Sequence, residues 1–178
     1  MKKTNRALTE LESCVLGVVW HRGPCTAYTV RREFAISSSS HWSSSAGSIY
    51  PVLARLESLG LIEGEEATWG AGTKKHYRAT DSGVATLKEW IGPPIEEWAA
   101  ASTFDPIRTR TYFLGVLTPA GRRRFVAEAE KMTREELARV RSNVQSEDRW
   151  DQLASRGVIC ELEGRLRWLA IVTKELAG

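Results

Sequence analysis

The chain has 178 residues, 42% of them hydrophobic, with 25 Lys and Arg against 22 Asp and Glu. That length holds one substantial domain or two small ones, each with a real core. No apolar run approaches the roughly twenty residues that cross a bilayer, and the opening M-K-K-T-N-R lacks the apolar stretch of a secretory signal, so a cytoplasmic protein without a membrane partner is expected.

The net charge of +3 is evenly spread, with 11 basic against 9 acidic residues over 1–92 and 14 against 13 over 93–178. Neither half is a basic tail, and any nucleic-acid surface must come from local clustering. Cys14, Cys25 and Cys160 are odd in number and have neither metal nor redox spacing, which fits isolated thiols in a reducing compartment.

Leu8 to Arg22 reads as a first helix, with Thr9 and Glu12 as a capping box, Leu11, Val15, Val18 and Val19 as the apolar face, and Gly23-Pro24 as the stop. Thr26 caps a second, shorter helix through Tyr28, Val30, Arg31, Arg32 and Phe34. The Ser-rich tract Ser37 to Ser45, interrupted by His41 and Trp42, cannot continue it comfortably.

The stretch from Ser45 to Ile62, S-A-G-S-I-Y-P-V-L-A-R-L-E-S-L-G-L-I, organises the rest. Ile49, Leu53, Leu56 and Leu59 make a buried stripe, and a narrow polar face carries Ser48, Arg55 and Ser58, with Tyr50 near the start. Pro51 confines the helix start to Gly47 or Ser48, where free N–H groups and the helix dipole offer a phosphate seat, and Gly60 is the expected left-handed cap.

Leu61 to Glu66 and Thr73 to Ala79 then read as a hairpin turning at Trp69 to Gly72, with Tyr77 and Ala79 inward and Lys74 and Lys75 beside the tip. Thr80 caps a fourth helix through Val84, Leu87, Trp90 and Ile91, and Gly92-Pro93-Pro94 is the expected domain boundary. Beyond it the chain is all helical. Asp105-Pro106 and Thr118-Pro119 are two start signals, the second opening a helix to about Val144, and a last helix spans about Arg149 to Leu176. Its seam of Ile159, Leu162, Leu166, Leu169 and Leu176, with Thr173 in register, is expected to be covered by a partner chain. The expected fold is mainly α with a small β-hairpin wing: a winged helix-turn-helix domain over 1–92 and an antiparallel helical dimerisation domain over 93–178.

The run G-S-I-Y-P-V-L-A-R-L-E-S-L-G-L-I, the Gly-rich hairpin and H-Y-R-A-T-D-S-G resemble the PadR family of bacterial winged-helix transcriptional regulators, over residues 8–92. R-L-R-W-L, from Arg165 to Leu169, resembles the longer C-terminal helical domain of one PadR subgroup. The resemblance implies a homodimer with interlocked C-terminal helices, a DNA-binding winged helix in each subunit, and repression often relieved by a small, frequently aromatic compound. The Ser-rich connector and the Trp in the wing turn depart from the family pattern.

On that reading Ser48, Tyr50 and Arg55 sit at or near the major groove of a pseudo-palindromic operator, Tyr50 on phosphate and Ser48 nearest the bases, with Ser45 a further DNA contact and half-sites about 10 base pairs or a multiple apart. Lys74 and Lys75 touch phosphates from the wing, and Thr26 and Tyr28 do so from the second helix. The bland alternatives are a solvated face with Tyr50 packed on Trp42, solubilising wing lysines, and a core Tyr28. Trp90, Trp98 and Trp168 are candidate effector contacts in an aromatic pocket between the two domains, against a default of core packing. Arg122, Arg123 and Arg124 fit DNA flanks, an acidic partner or a solvated face. His21, His41 and His76 have no metal spacing, and no hydrolase, metalloprotease, P-loop or dinucleotide fingerprint occurs, so neither a cofactor nor enzyme chemistry is expected. The rival to a DNA-binding regulator is a winged helix that binds only protein; it predicts that Arg55→Ala and Lys75→Ala leave function intact.

Overall fold

The computed structural model describes residues 6–37, 42, 45–69, 72–102, 104–143 and 147–177. Most of the Ser-rich tract, His41 and the expected turn residues Gly70 and Ala71 lie outside these. Two compact units make up the chain, residues 1–101 and 102–178. Among the described residues no helix is long and apolar enough to cross a membrane.

The first unit is built from α1 (Glu10–Arg22), β1 (Cys25–Thr26), α2 (Ala27–Ile36), α3 (Ile49–Ser58), the hairpin β2 (Ile62–Trp69) and β3 (Gly72–Ala79), α4 (Asp81–Ile91) and the single turn α5 (Glu97–Ala100). The expected break at Gly92 ends α4, whereas the unit continues through α5 to Ala101. The Thr9–Glu12 capping box forms as read, so α1 starts at Glu10 rather than Leu8. Thr26 and Thr80 cap α2 and α4 by accepting from the Thr29 and Gly83 amides, at 3.2 and 3.1 Å.

The sheet is antiparallel in the order β1-β3-β2, with Cys25 opposite Tyr77, Thr26 opposite His76 and Ile62 opposite Ala79. Strand β1 is absent from the sequence reading, because two residues have no periodicity to read. The core joins Val15, Leu16 and Val19 of α1, Val30 and Phe34 of α2, Ile49, Leu53 and Leu56 of α3, Ile62 of β2 and Leu87 of α4. Each such side chain is worth about 1.5–3 kcal/mol on burial, so the core fixes α3 on three sides.

Helix α3 ends as expected on Gly60, at φ +72°. The Leu61 amide donates to Leu56 O and the Gly60 amide to Glu57 O, at 3.0 and 2.9 Å, a Schellman cap that only a residue tolerant of positive φ completes cheaply. The Thr80 and Ser82 hydroxyls then donate to Gly60 O at 2.7 and 2.9 Å and latch the end of α3 to the start of α4.

The second unit holds α6 (Pro106–Thr111), α7 (Pro119–Asn143) and α8 (Arg149–Glu175). Asp105 caps α6 through the Ile107 and Arg108 amides and holds Arg165 of α8 at 3.0 Å. Helices α7 and α8 run antiparallel: Arg141 pairs with Glu163 while Thr173 bonds Glu130. Leu114, Val126, Ala129 and Leu169 form one core cluster, and Leu137, Val140 and Leu162 another. Arg122 leaves the basic run as a structural group, since its guanidinium donates to the carbonyls of Leu114, Gly115 and Leu117 and closes the turn before α7. Arg123 and Arg124 are exposed.

Candidate nucleic-acid interface

Helix α3 buries Ile49, Leu53 and Leu56 and turns Ser48, Pro51, Ala54 and Ser58 outward as an exposed ridge of small residues. Leu59, expected to extend the buried stripe, is the helix cap and only part-buried. A 3-10 turn, Ala46–Ser48, runs straight into α3, so the chain enters the helix already coiled rather than by an extended N-cap. Ser48 is the N-cap, as read, but its hydroxyl makes no capping bond and is exposed. Ser45, part-buried, precedes the turn.

Arg55 has an acidic partner within the fold. Its Nε lies 2.6 Å from Oε1 of the buried Glu12, a close charge contact on the α1 flank of α3 rather than on the ridge. Glu12 Oε1 also accepts from Arg6 at 3.0 Å, and Oε2 accepts from the Thr9 amide at 2.7 Å. Burial alone would push the Glu12 carboxyl up. The Thr9 amide and hydroxyl, then Arg55 and Arg6, outweigh it and hold the group below its ordinary value. The sequence places Arg55 on a polar face; it has no way to show that a buried carboxylate waits at the edge of that face.

Lys75 Nζ likewise lies 2.7 Å from Glu57 Oε1 of α3, so this wing cation already has an anion. Lys74 is exposed, with no ion pair among the described residues. Tyr28 is not core, being 61% exposed. Nor is Tyr50 stacked away, at 55% exposed, while Trp42 stacks on Phe34 with centroids 4.5 Å apart.

These pieces meet. Thr26, Ala27, Tyr28, Tyr50, Lys74, Lys75 and Tyr77 line one open groove of about 390 Å³ between the start of α2, the start of α3 and the wing. Five of the eight expected DNA-contact residues are among them. Tyr77, read only as inward-facing, also lines the groove. Arg31 and Arg32, three and four residues past Tyr28, are exposed on the same face of α2. They add positive charge that the residue-by-residue reading passed over, although helical spacing from Tyr28 was enough to find them.

Residues 15–89 match the family described as the transcriptional regulator PadR-like family. The matched stretch is PadR-like in sequence and covers the first unit from α1 to α4. Among solved structures, PadR of Bacillus subtilis in complex with operator DNA superposes with a TM-score of 0.80 at 21% identity, over 96% of this chain and 99% of that one. The same protein in complex with p-coumaric acid gives 0.76 at 21% identity, over 94% and 99%. The PadR-like regulator BC1756 of Bacillus cereus gives 0.73 at 19% identity, over 97% and 99%. At these identities the likeness establishes the fold. No curated protein sequence matches the chain.

The aromatic candidates are divided between the two units. Trp90 and Trp98 belong to the first unit and Trp168 to the second. Trp90 packs against the first core and donates its indole N–H to Glu10 at 3.3 Å, Trp98 is 61% exposed, and Trp168 packs against the second core. The seam of α8 also takes a different place from the expected one. Leu162 and Leu169 are buried against α7 within the chain, and Ile159, Leu166 and Leu176 pack beside them. Leu169 is fully buried without a second chain and has no surface left to offer one. Periodicity reveals that a face is covered; the partner it finds here is α7.

Proposed function

We propose that the chain is a homodimeric, sequence-specific DNA-binding regulator of the cytoplasm, acting as a repressor that a small hydrophobic or aromatic compound releases. The observation that carries this reading is the pairing of a charge-free ridge on α3 with the Tyr- and Lys-lined groove beside it. Small residues let a helix sit deep in a major groove, and on this reading the tyrosines, Thr26 and Lys74 hold the phosphates on its edge. The operator-bound relative supports the nucleic-acid part, and the p-coumaric acid complex supports an aromatic effector.

The dimer is assigned to the second unit, on a different surface from the α8 seam. Phe104, Tyr112, Phe113, Val116 and Leu117 are exposed within fourteen residues, at 79%, 85%, 61%, 87% and 41%. A concentration of large apolar side chains of this kind marks an interaction surface. A nuclease footprint on the DNA upstream of the chain's own gene tests the proposal. Two protected half-sites about 10 base pairs or a multiple apart are expected, and a single half-site or no protection contradicts it.

A further inference from the structure

The wing hangs from the sheet by little. Strand β1 supports β3 only at His76 and Tyr77, and Lys75 is the first residue beyond that support. There its Nζ reaches Glu57 on α3, 2.7 Å from Oε1 and 2.8 Å from Oε2, and lies 5.5 Å over the Tyr77 ring. The route to Glu57 crosses β2 at Gly64. A Cβ at that position would stand 2.1 Å from Lys75 Cε and 2.8 Å from Glu57 Oε1, so the absent side chain is what opens the path. The hydrogen bond to Glu57 outweighs the small burial of the lysine and, with the nearby charges of Glu57 and Glu66, holds its ammonium above the ordinary value. A phosphate would have to displace a carboxylate that uses both oxygens.

We propose that Lys75 is a positioning residue rather than a DNA contact: Glu57, Lys75 and the slot at Gly64 form a clip that sets the angle of the wing to α3. Lys74, the groove's other lysine, exposed and without an ion pair among the described residues, is then the one that meets phosphate. The inference rests on the DNA-binding reading above. It explains why a two-stranded ribbon beyond the sheet, of a kind only marginally stable by itself, keeps a fixed pose beside the reading helix.

Duplex affinity at several salt concentrations, together with hydrogen exchange of the free protein, tests the clip. Removing an acid beside DNA should tighten binding on charge alone, yet Glu57→Gln is expected to weaken it by about fivefold, the scale of a surface ion pair. Lys75→Met should weaken it comparably with the salt slope unchanged. The exchanged pair Glu57→Lys with Lys75→Glu should recover most of the loss, and Gly64→Ala, which keeps every charge but fills the slot, should behave like Glu57→Gln. In the free protein the β3 amides before His76 should exchange faster in Glu57→Gln. Tighter binding by Glu57→Gln, a salt slope shallower by about 0.9 in Lys75→Met, or no recovery in the exchanged pair overturns the proposal. If the unaltered chain binds no duplex, the DNA reading fails, and the exchange experiment alone decides the clip: faster β3 exchange upholds it and unchanged exchange overturns it.

Discussion

Glu12 shows how much one buried side chain organises. Its carboxylate is 4% exposed and collects the Thr9 amide, Arg6 and Arg55, so it joins the start of α1 to the flank of α3. Glu12→Gln keeps the shape and loses the charge, and should cost about 2 kcal/mol at neutral pH. Because the folded carboxyl lies below its unfolded value, its stabilisation is present above about pH 4.3 and is lost as the pH falls through the folded value. Thermal melts should therefore show the gap between wild type and Glu12→Gln closing in acid, and a gap independent of pH would refute the assignment. The cysteines make a second check at this scale. Burial, then Glu10, pushes the Cys14 thiol up to about 11, and burial, then Glu33, pushes Cys25 up, while Cys160 is exposed. A thiol reagent at about pH 8 should label one cysteine quickly in the native protein and three after unfolding, since only thiolate reacts; fast labelling of Cys14 or Cys25 would show that the core opens.

Among the elements, the helix ends were the most legible. The Thr9–Glu12 box, Asp105-Pro106, Thr118-Pro119 and Gly60 all stand where local chemistry puts them, because a cap is decided by a few neighbouring atoms. What the sequence could not reveal depends on residues distant in the chain: the two-residue strand β1, the Glu12 partner of Arg55, and α7 as the cover for the α8 seam. The eight candidate contacts fared according to the same rule. Tyr50 and Tyr28 are exposed where the bland alternatives had them packed, whereas Arg55, read from helix phase, and Lys75, read from its place beside the wing tip, lie against anions. The ridge of α3 gives the sharpest prediction at this level. Ala54→Glu projects from an exposed turn, so stability should change by no more than about 0.5 kcal/mol. It would nonetheless bring a carboxylate against the bases and should weaken duplex binding by at least about tenfold. Unchanged binding in a folded variant would remove α3 from the interface.

At the scale of the whole molecule, the proposed dimer would engage both heads at once, because tethering makes the second contact intramolecular and multiplies a modest affinity. Val116→Glu places a charge in the exposed apolar patch of the second unit and should shift sedimentation toward monomer, with dimer dissociation at least about tenfold easier. A dimer insensitive to that change would assign the interface to another surface. Duplex binding by a dimer is decided by an anisotropy titration of the full chain on DNA from upstream of its gene, between about 50 and 200 mM salt. Two chains per duplex are predicted, with log affinity falling linearly against log salt. Failure to bind at the lowest salt, binding by one chain, or an affinity indifferent to salt would contradict it.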